Sequence, residues 1–311
     1  MTALPVDGTD QLHAALDNAE GTVFVALDAA VVPGLQDALS LSGLDWAPLY
    51  LDEVDNPSIA AGPHLIAAPD RASRERALAL ASPAGGTVWW FWDAGMDALS
   101  THLRSLGMVE LPKDRYEIPV AARAKGFEPV LFRHADAPAL SDTLAALGDG
   151  QRARLLGGAK ALILHWPDPE GGWRIERHDP VHAVADPGLL RIYDDAQYRR
   201  IAARRTEGIA ASTASWLRRH VPEMLPHATD AGLLPWVRAE IDRARDHAIV
   251  TEPGYRRWCY LQALTRGGFA EQEGVDGFFA DPRDGRTPDQ KVEDMVASVA
   301  AAARGQRGAQ A

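Results

Sequence analysis

Apolar residues change their spacing once along the chain, and the change divides it. Up to about residue 188 short β-forming runs alternate with stretches of helical period; beyond Leu189 only the helical period remains. A first helix over Leu12, Ala15 and Leu16 is ended by Gly21, and 22-TVFVAL-27, bounded by Gly21 and Asp28, predicts a buried strand. The spacing predicts a helix over 33-PGLQDALSL-41, with Pro33 near its first turn and Gly43 past its end. Short apolar segments follow at 46-WAPLYL-51 and 63-PHLIAA-68, then a helix over 72-ASRERALALAS-82.

The run 86-GTVWWFWDAG-95 has no polar residue between Val88 and Trp92, so it lacks inside–outside alternation. That pattern predicts a strand covered on both faces. An exposed stacking platform would interleave its rings with Lys or Arg, and only Asp93 is charged here. Met96, Leu99, Leu103 and Leu106 predict an amphipathic helix with Gly107 as its C-cap. Residues 128–158 read as strand, turn, helix, turn, helix, and 160-KALILHW-166 with 173-WRIERH-178 as a hairpin.

Beyond Leu189 four helices are legible. Their stripes are Tyr198, Ile201, Ile209, Trp216 and Leu217; Leu233 to Ala248; Trp258, Leu261 and Leu264; and Val292, Met295, Val296 and Val299. The last opens at 287-TPDQ-290, where Thr287 and Gln290 fit a capping box around Pro288. The fold class expected is α/β (α+β): a mixed sheet flanked by helices over 1–188, a small all-helical domain over 189–304, and a flexible tail over 305–311.

Charge and composition narrow the function. The net charge of −11 is concentrated in the first hundred residues, where Arg71, Arg74 and Arg76 are the only basic side chains apart from histidine. Such a surface repels phosphates, so no nucleic-acid partner is expected there. No apolar window is long enough for a membrane helix, and 1-MTALPVDGTDQLHAALDNAEG-21 lacks the cationic start and apolar run of a secretory signal. Cys259 is the single cysteine, which excludes an internal disulfide and a cysteine zinc site. A cytoplasmic location is expected.

Candidate chemistry is sparse. Phosphate-loop, dinucleotide, nucleophile-elbow and His-Glu-x-x-His motifs are absent, and no cofactor or metal is expected. In 178-HDPVHAVAD-186 the four-residue spacing of His178, His182 and Asp186 would suit a helix, but Pro180 opposes one. In 132-FRHADAP-138, Asp136 is placed to cap the helix starting near Pro138, and Arg133 needs a carboxylate, for which Asp28 is available. The helical part carries arginine and tryptophan, residue types enriched in binding hot spots, at Arg218, Arg219, Trp236, Arg238, Arg256, Arg257 and Trp258. These are the candidate partner-binding residues, with a groove between the two domains expected to take a partner helix.

Several stretches recur together in one known family. Asp28 ends the first strand; 48-PLY-50, 62-GPHL-65 with Gly62 and Pro63, and the strand around Trp90 follow; then 97-DALSTHLRSL-106, 131-LFRHADAP-138 with Phe132, Arg133 and Asp136, and 150-GQRARLLGG-158. In this order they resemble the type VI secretion adaptor proteins, over roughly residues 22–165. The sequence departs from that pattern in having Asp136-Ala137-Pro138 where the family has Asp-Pro, and His134-Ala135 where aromatic residues are common. The resemblance implies a non-enzymatic bacterial chaperone that holds a toxic effector by its N-terminal segment and loads it onto the spike protein VgrG. Two alternatives stand beside it: a hydrolase using His134 and Asp136 or His178 and His182, and an immunity or regulatory protein for the same toxin.

Overall fold

A computed structural model describes residues 6–18, 20–50, 62–81, 86–116, 118, 120–168, 172–225, 229–281 and 283–308. Readings that fell on Leu51, Ser82, Gly85, the centre of the 167–172 turn, Pro226 and the last three residues lie outside these. The chain divides into two compact units, Met1–Arg205 and Thr206–Ala311.

In the first unit α1 is Val6–Asp17, β1 Thr22–Asp28, α2 Leu35–Ser42, β2 Trp46–Pro48, β3 Pro63–Ala67, α3 Arg71–Ala81 and β4 Thr87–Trp92. Then come α4 Gly95–Arg104, β5 Met108–Pro112, β6 Phe127–Leu131, α5 Ala137–Leu144, α6 Asp149–Leu156, β7 Ala161–Pro167, β8 Trp173–His178 and β9 Leu190–Arg191. Helix α7, Asp195–His220, crosses into the second unit, which continues with α8 Asp230–Asp246, α9 Glu252–Leu264, α10 Val275–Ala280 and α11 Pro288–Gly308. The architecture is α+β, with a helical C-terminal region.

The larger sheet runs β2-β3-β1-β4-β7-β8, and every neighbouring pair in it is antiparallel. Mixed pairing occurs in the smaller sheet, β6-β5-β9, where β5 is antiparallel to β6 and parallel to β9. The tryptophan strand β4 lies between β1 and β7, buried at every position. Its missing alternation has a direct cause. Trp90 and Trp92 face a core shared with α4, α5 and α6, while Trp89 and Phe91 face a second core shared with α1, α2 and α3. Both faces of the strand are covered, so neither selects polar residues.

Gly86 leads into β4 through a tight gap. A Cβ there would lie 2.8 Å from the Ala137 Cβ, 2.9 Å from the Trp166 Cβ and 3.1 Å from the His165 carbonyl oxygen.

Four sequence expectations change. Gly107 is not a left-handed cap; α4 is capped at Ser105 in right-handed geometry, and Gly107 passes straight into β5. Strand signals do not end at Leu189, because Leu190–Arg191 pairs with β5. That pairing, with Tyr198 and Ile201 packed on the α/β core, keeps residues 189–205 in the first unit, so the boundary lies at Arg205/Thr206 and not at 188/189. Helix α11 continues to Gly308, beyond the point where the tail was expected to begin.

The helical unit is held by a core that includes Leu217, Val237, Ile241, Trp258, Leu261 and Val292. The capping box forms as read: Thr287 N–H donates to Gln290 Oε1 at 2.8 Å, and Gln290 N–H to Thr287 Oγ1 at 3.2 Å. Helix α10, invisible to the sequence reading, ends on a buried lysine. Lys291, 2 % exposed, donates from Nζ to the carbonyls of Phe278, Phe279 and Asp281 at 2.8, 3.2 and 3.4 Å. A cation on the last carbonyls of a helix offsets the negative end of its dipole. Cys259 is fully buried in the same core, and burial pushes its thiol far above the usual range.

Candidate protein-binding surface

The motif residues of the first unit converge at one end of the large sheet. Asp28 closes β1 opposite Pro63 of β3, just after Gly62. Its buried carboxylate accepts from Arg133 Nε at 2.9 Å and Nη2 at 2.6 Å, and from Ala30 N–H at 2.9 Å. Arg133 also lies 3.4 Å from Asp136, whose other oxygen accepts from Ala139 N–H at 3.0 Å and caps α5. Burial first, then the nearby Asp28 carboxylate, raises the Tyr50 hydroxyl above its ordinary value. Phe132 and Trp90 sit in the core behind this node. Each charge is used inside the fold, tying β1 to the segment after β6.

That arrangement leaves His134 and Asp136 without a catalytic geometry. His134 is completely buried, and neither ring nitrogen has a partner among the described residues. At the other proposed pair, His178 ends β8 and His182 lies in irregular chain, so they share no helix. Glu176 accepts from Ser141 Oγ at 2.8 Å and lies 3.6 Å from His178 Nε2; the serine bonds the carboxylate, not the histidine. Among the described residues no group of His, Cys, Asp and Glu is placed to hold a metal ion, and no helix is long and apolar enough to cross a membrane.

Buried histidines set a pH dependence. Burial holds His134 and His165 down to about 4. The unfolded chain takes up these protons near pH 6.5 and the folded chain only near 4. Stability is therefore full above about pH 6.5 and falls toward pH 4, by up to about 1.4 kcal/mol per pH unit for each histidine. Asp142, raised to about 6 by burial, opposes this trend as its carboxyl protonates in the folded state. Urea unfolding at pH 7 and pH 5 should show a smaller loss in His134→Leu than in the parent; an identical loss would remove His134 from the explanation.

The arginine and tryptophan candidates of the helical unit are largely committed to their own unit. Trp258 is fully buried and donates to Glu240 Oε2 at 3.3 Å, so it is core. Trp236 is half-buried against that core. Arg238 forms a two-point contact with Glu207, Arg257 bonds Glu293 at 3.0 Å, and Arg219 bonds Ser215 at 3.1 Å. Arg256 bonds both Ser212 and Glu252 at 3.2 Å, and Arg218 is half-buried. Arg256 and Arg257 do line a hollow of about 530 Å³ with Trp216, His220, Tyr260 and Val296. Of the seven candidates, the structure brings only these two into that hollow.

Residues 108–127 carry no element expected from the sequence, and exposed apolar side chains recur in and around the small sheet that they help to form, although the two most exposed of the first unit, Val184 and Leu41, lie elsewhere. Met108, Tyr116, Val120, Leu131, Leu189 and Tyr193 are exposed, all on the small sheet or the segments beside its strands. Val109, Leu111 and Val130 turn inward to the core. The opposite face carries Met108 paired with Leu131, Glu110 with Pro129, and Pro112 with Phe127. Arg191 spans this face, bonding Glu110 and lying 4.5 Å over the Phe127 ring. The signal present was slight: only Val109, Glu110 and Leu111 alternate, too few residues to stand out beside the helix before them.

Residues 23–154 match a protein family described as "Domain of unknown function (DUF4123)". No curated protein and no solved structure matches the chain.

Proposed function

We propose that this protein is a non-enzymatic adaptor that binds a toxic type VI secretion effector in the cytoplasm and delivers it to the spike protein VgrG. The observation that carries the reading is the outward face of the small sheet. There an exposed Met108–Leu131 pair lies within the family-matched segment, while the charged motif residues beside it are engaged in holding the fold. Exposed apolar side chains set side by side on neighbouring strands mark a protein-binding face more than scattered single residues do. The motif order of the first unit supports the type VI assignment through its resemblance to the adaptors.

Co-expression with the large toxin gene expected beside its own tests the proposal. The toxin should co-purify at one-to-one stoichiometry and lose the chain when its N-terminal segment is deleted. Retention through the toxin's catalytic end would make the protein an immunity factor instead. No association with either the toxin or VgrG would end the reading.

A further inference from the structure

We infer that the free edge of β6 receives an extended segment of the effector as a fourth strand of the small sheet. The inference rests on the adaptor reading and names how its partner is held. Phe132 N–H donates to Gly107 O, and Lys113 N–H to Gly126 O, on either side of the β5–β6 ladder. With the observed register, 109–130 and 111–128 are then the pairs that exchange bonds with each other. The N–H and C=O groups of Phe127 and Leu131, and the C=O of Pro129, therefore point away from β5. β6 is the outermost strand, and no described residue bonds these groups.

An open row of this kind is a template for strand addition. Pro129 decides which strand. If two copies of β6 paired about a two-fold axis at this position, Pro129 would face Pro129, leaving two carbonyls and no donor between them. A foreign strand with an ordinary residue there donates its own N–H to the Pro129 carbonyl. Self-pairing centred on Pro129 is thus disfavoured, and the occupant inferred is a segment of the effector, not a second copy of this chain. An apolar side chain on it would cover Leu131 and Met108, 59 % and 37 % exposed. Exposed Lys113 and Lys125 flank the Phe127 end and favour acidic residues on that side of the segment.

Leu131→Pro separates binding from folding, because it removes an N–H that the free protein does not use. Phe127→Pro does the same at the other end of the edge. Affinity of each variant for the full-length effector is measured by calorimetry, with thermal unfolding run in parallel. The expected result is binding at least about tenfold weaker, from loss of an interchain hydrogen bond and its flanking pair, with the melting temperature of at least one variant retained. In the complex, the Phe127 and Leu131 amides should become protected from hydrogen exchange, whereas Glu128 and Val130 are protected already in the free protein. If the parent binds and both variants bind equally well, or the two amides stay unprotected, strand addition is wrong and the adaptor reading survives. If the parent does not bind the effector, both fall. Should Pro129→Thr leave effector binding intact and the parent itself sediment as a dimer, the argument for a foreign strand is overturned.

Discussion

Gly86→Ala should lower the melting temperature of the α/β unit by about 2–12 °C, although it adds one methyl group and needs no unusual backbone angle. The added carbon would meet the Ala137 Cβ, the Trp166 Cβ and the His165 carbonyl at 3.1 Å or less, all fixed to backbone and unable to swing aside. Overpacking of this sort costs about 1–3 kcal/mol, and more when nothing flexible can yield; at about 2–4 °C per kcal/mol for a unit of this size the shift follows. The entrance to the tryptophan strand would have to move away from α5, which carries the Asp136 cap. Gly208→Ala is the control. No atom lies within 4 Å of its Cβ position, and alanine inside α7 should stabilise by about 0.5–1 kcal/mol. Equal melting temperatures for Gly86→Ala and the parent would show that β4 is not pinned where it enters the sheet.

A second large effect is expected at Lys291. Lys291→Met keeps most of the volume but withdraws a buried cation from three carbonyls of Phe278, Phe279 and Asp281. Charge-assisted bonds contribute about 1.5–3 kcal/mol, and stranded buried acceptors add to the loss, so a cost of about 2–4 kcal/mol is expected. Lys291 lies near the start of α11 and binds the end of α10, so the damage should be local at first. Hydrogen exchange of the α10 amides should accelerate by at least about thirtyfold, the factor that 2 kcal/mol represents. Unchanged α10 exchange in a folded Lys291→Met variant would mean that the helix is held by its apolar contacts alone.

What could be read from the sequence divides along physical lines. Asp136 as a cap, Asp28 as the partner of Arg133, the Thr287–Gln290 box and the doubly covered tryptophan strand all rest on short-range chemistry or on a run too apolar to be ambiguous. Each is present in the structure. Pairing direction was not legible, because alternating strands and helices suggest crossovers, whereas here the chain returns antiparallel at every step of the large sheet. β5, β9 and α10 escaped for another reason. They are two to six residues long and are fixed by partners distant in sequence, such as Leu190 against Val109 and Lys291 against Phe278. The candidate site suffered most: arginines and tryptophans stand out by residue type, yet ion pairs and burial occupy most of them, while the open face is built from ordinary residues such as Met108 and Leu131.

Cys259 gives the molecule a practical property. Its sulfur is enclosed in the helical core and its proton is held far more tightly than in a free thiol, so alkylating reagents should pass it by under native conditions. A cysteine introduced at an exposed position can therefore carry a fluorophore or spin label in the otherwise native chain, and distances from chosen surface sites become measurable without first rebuilding the interior.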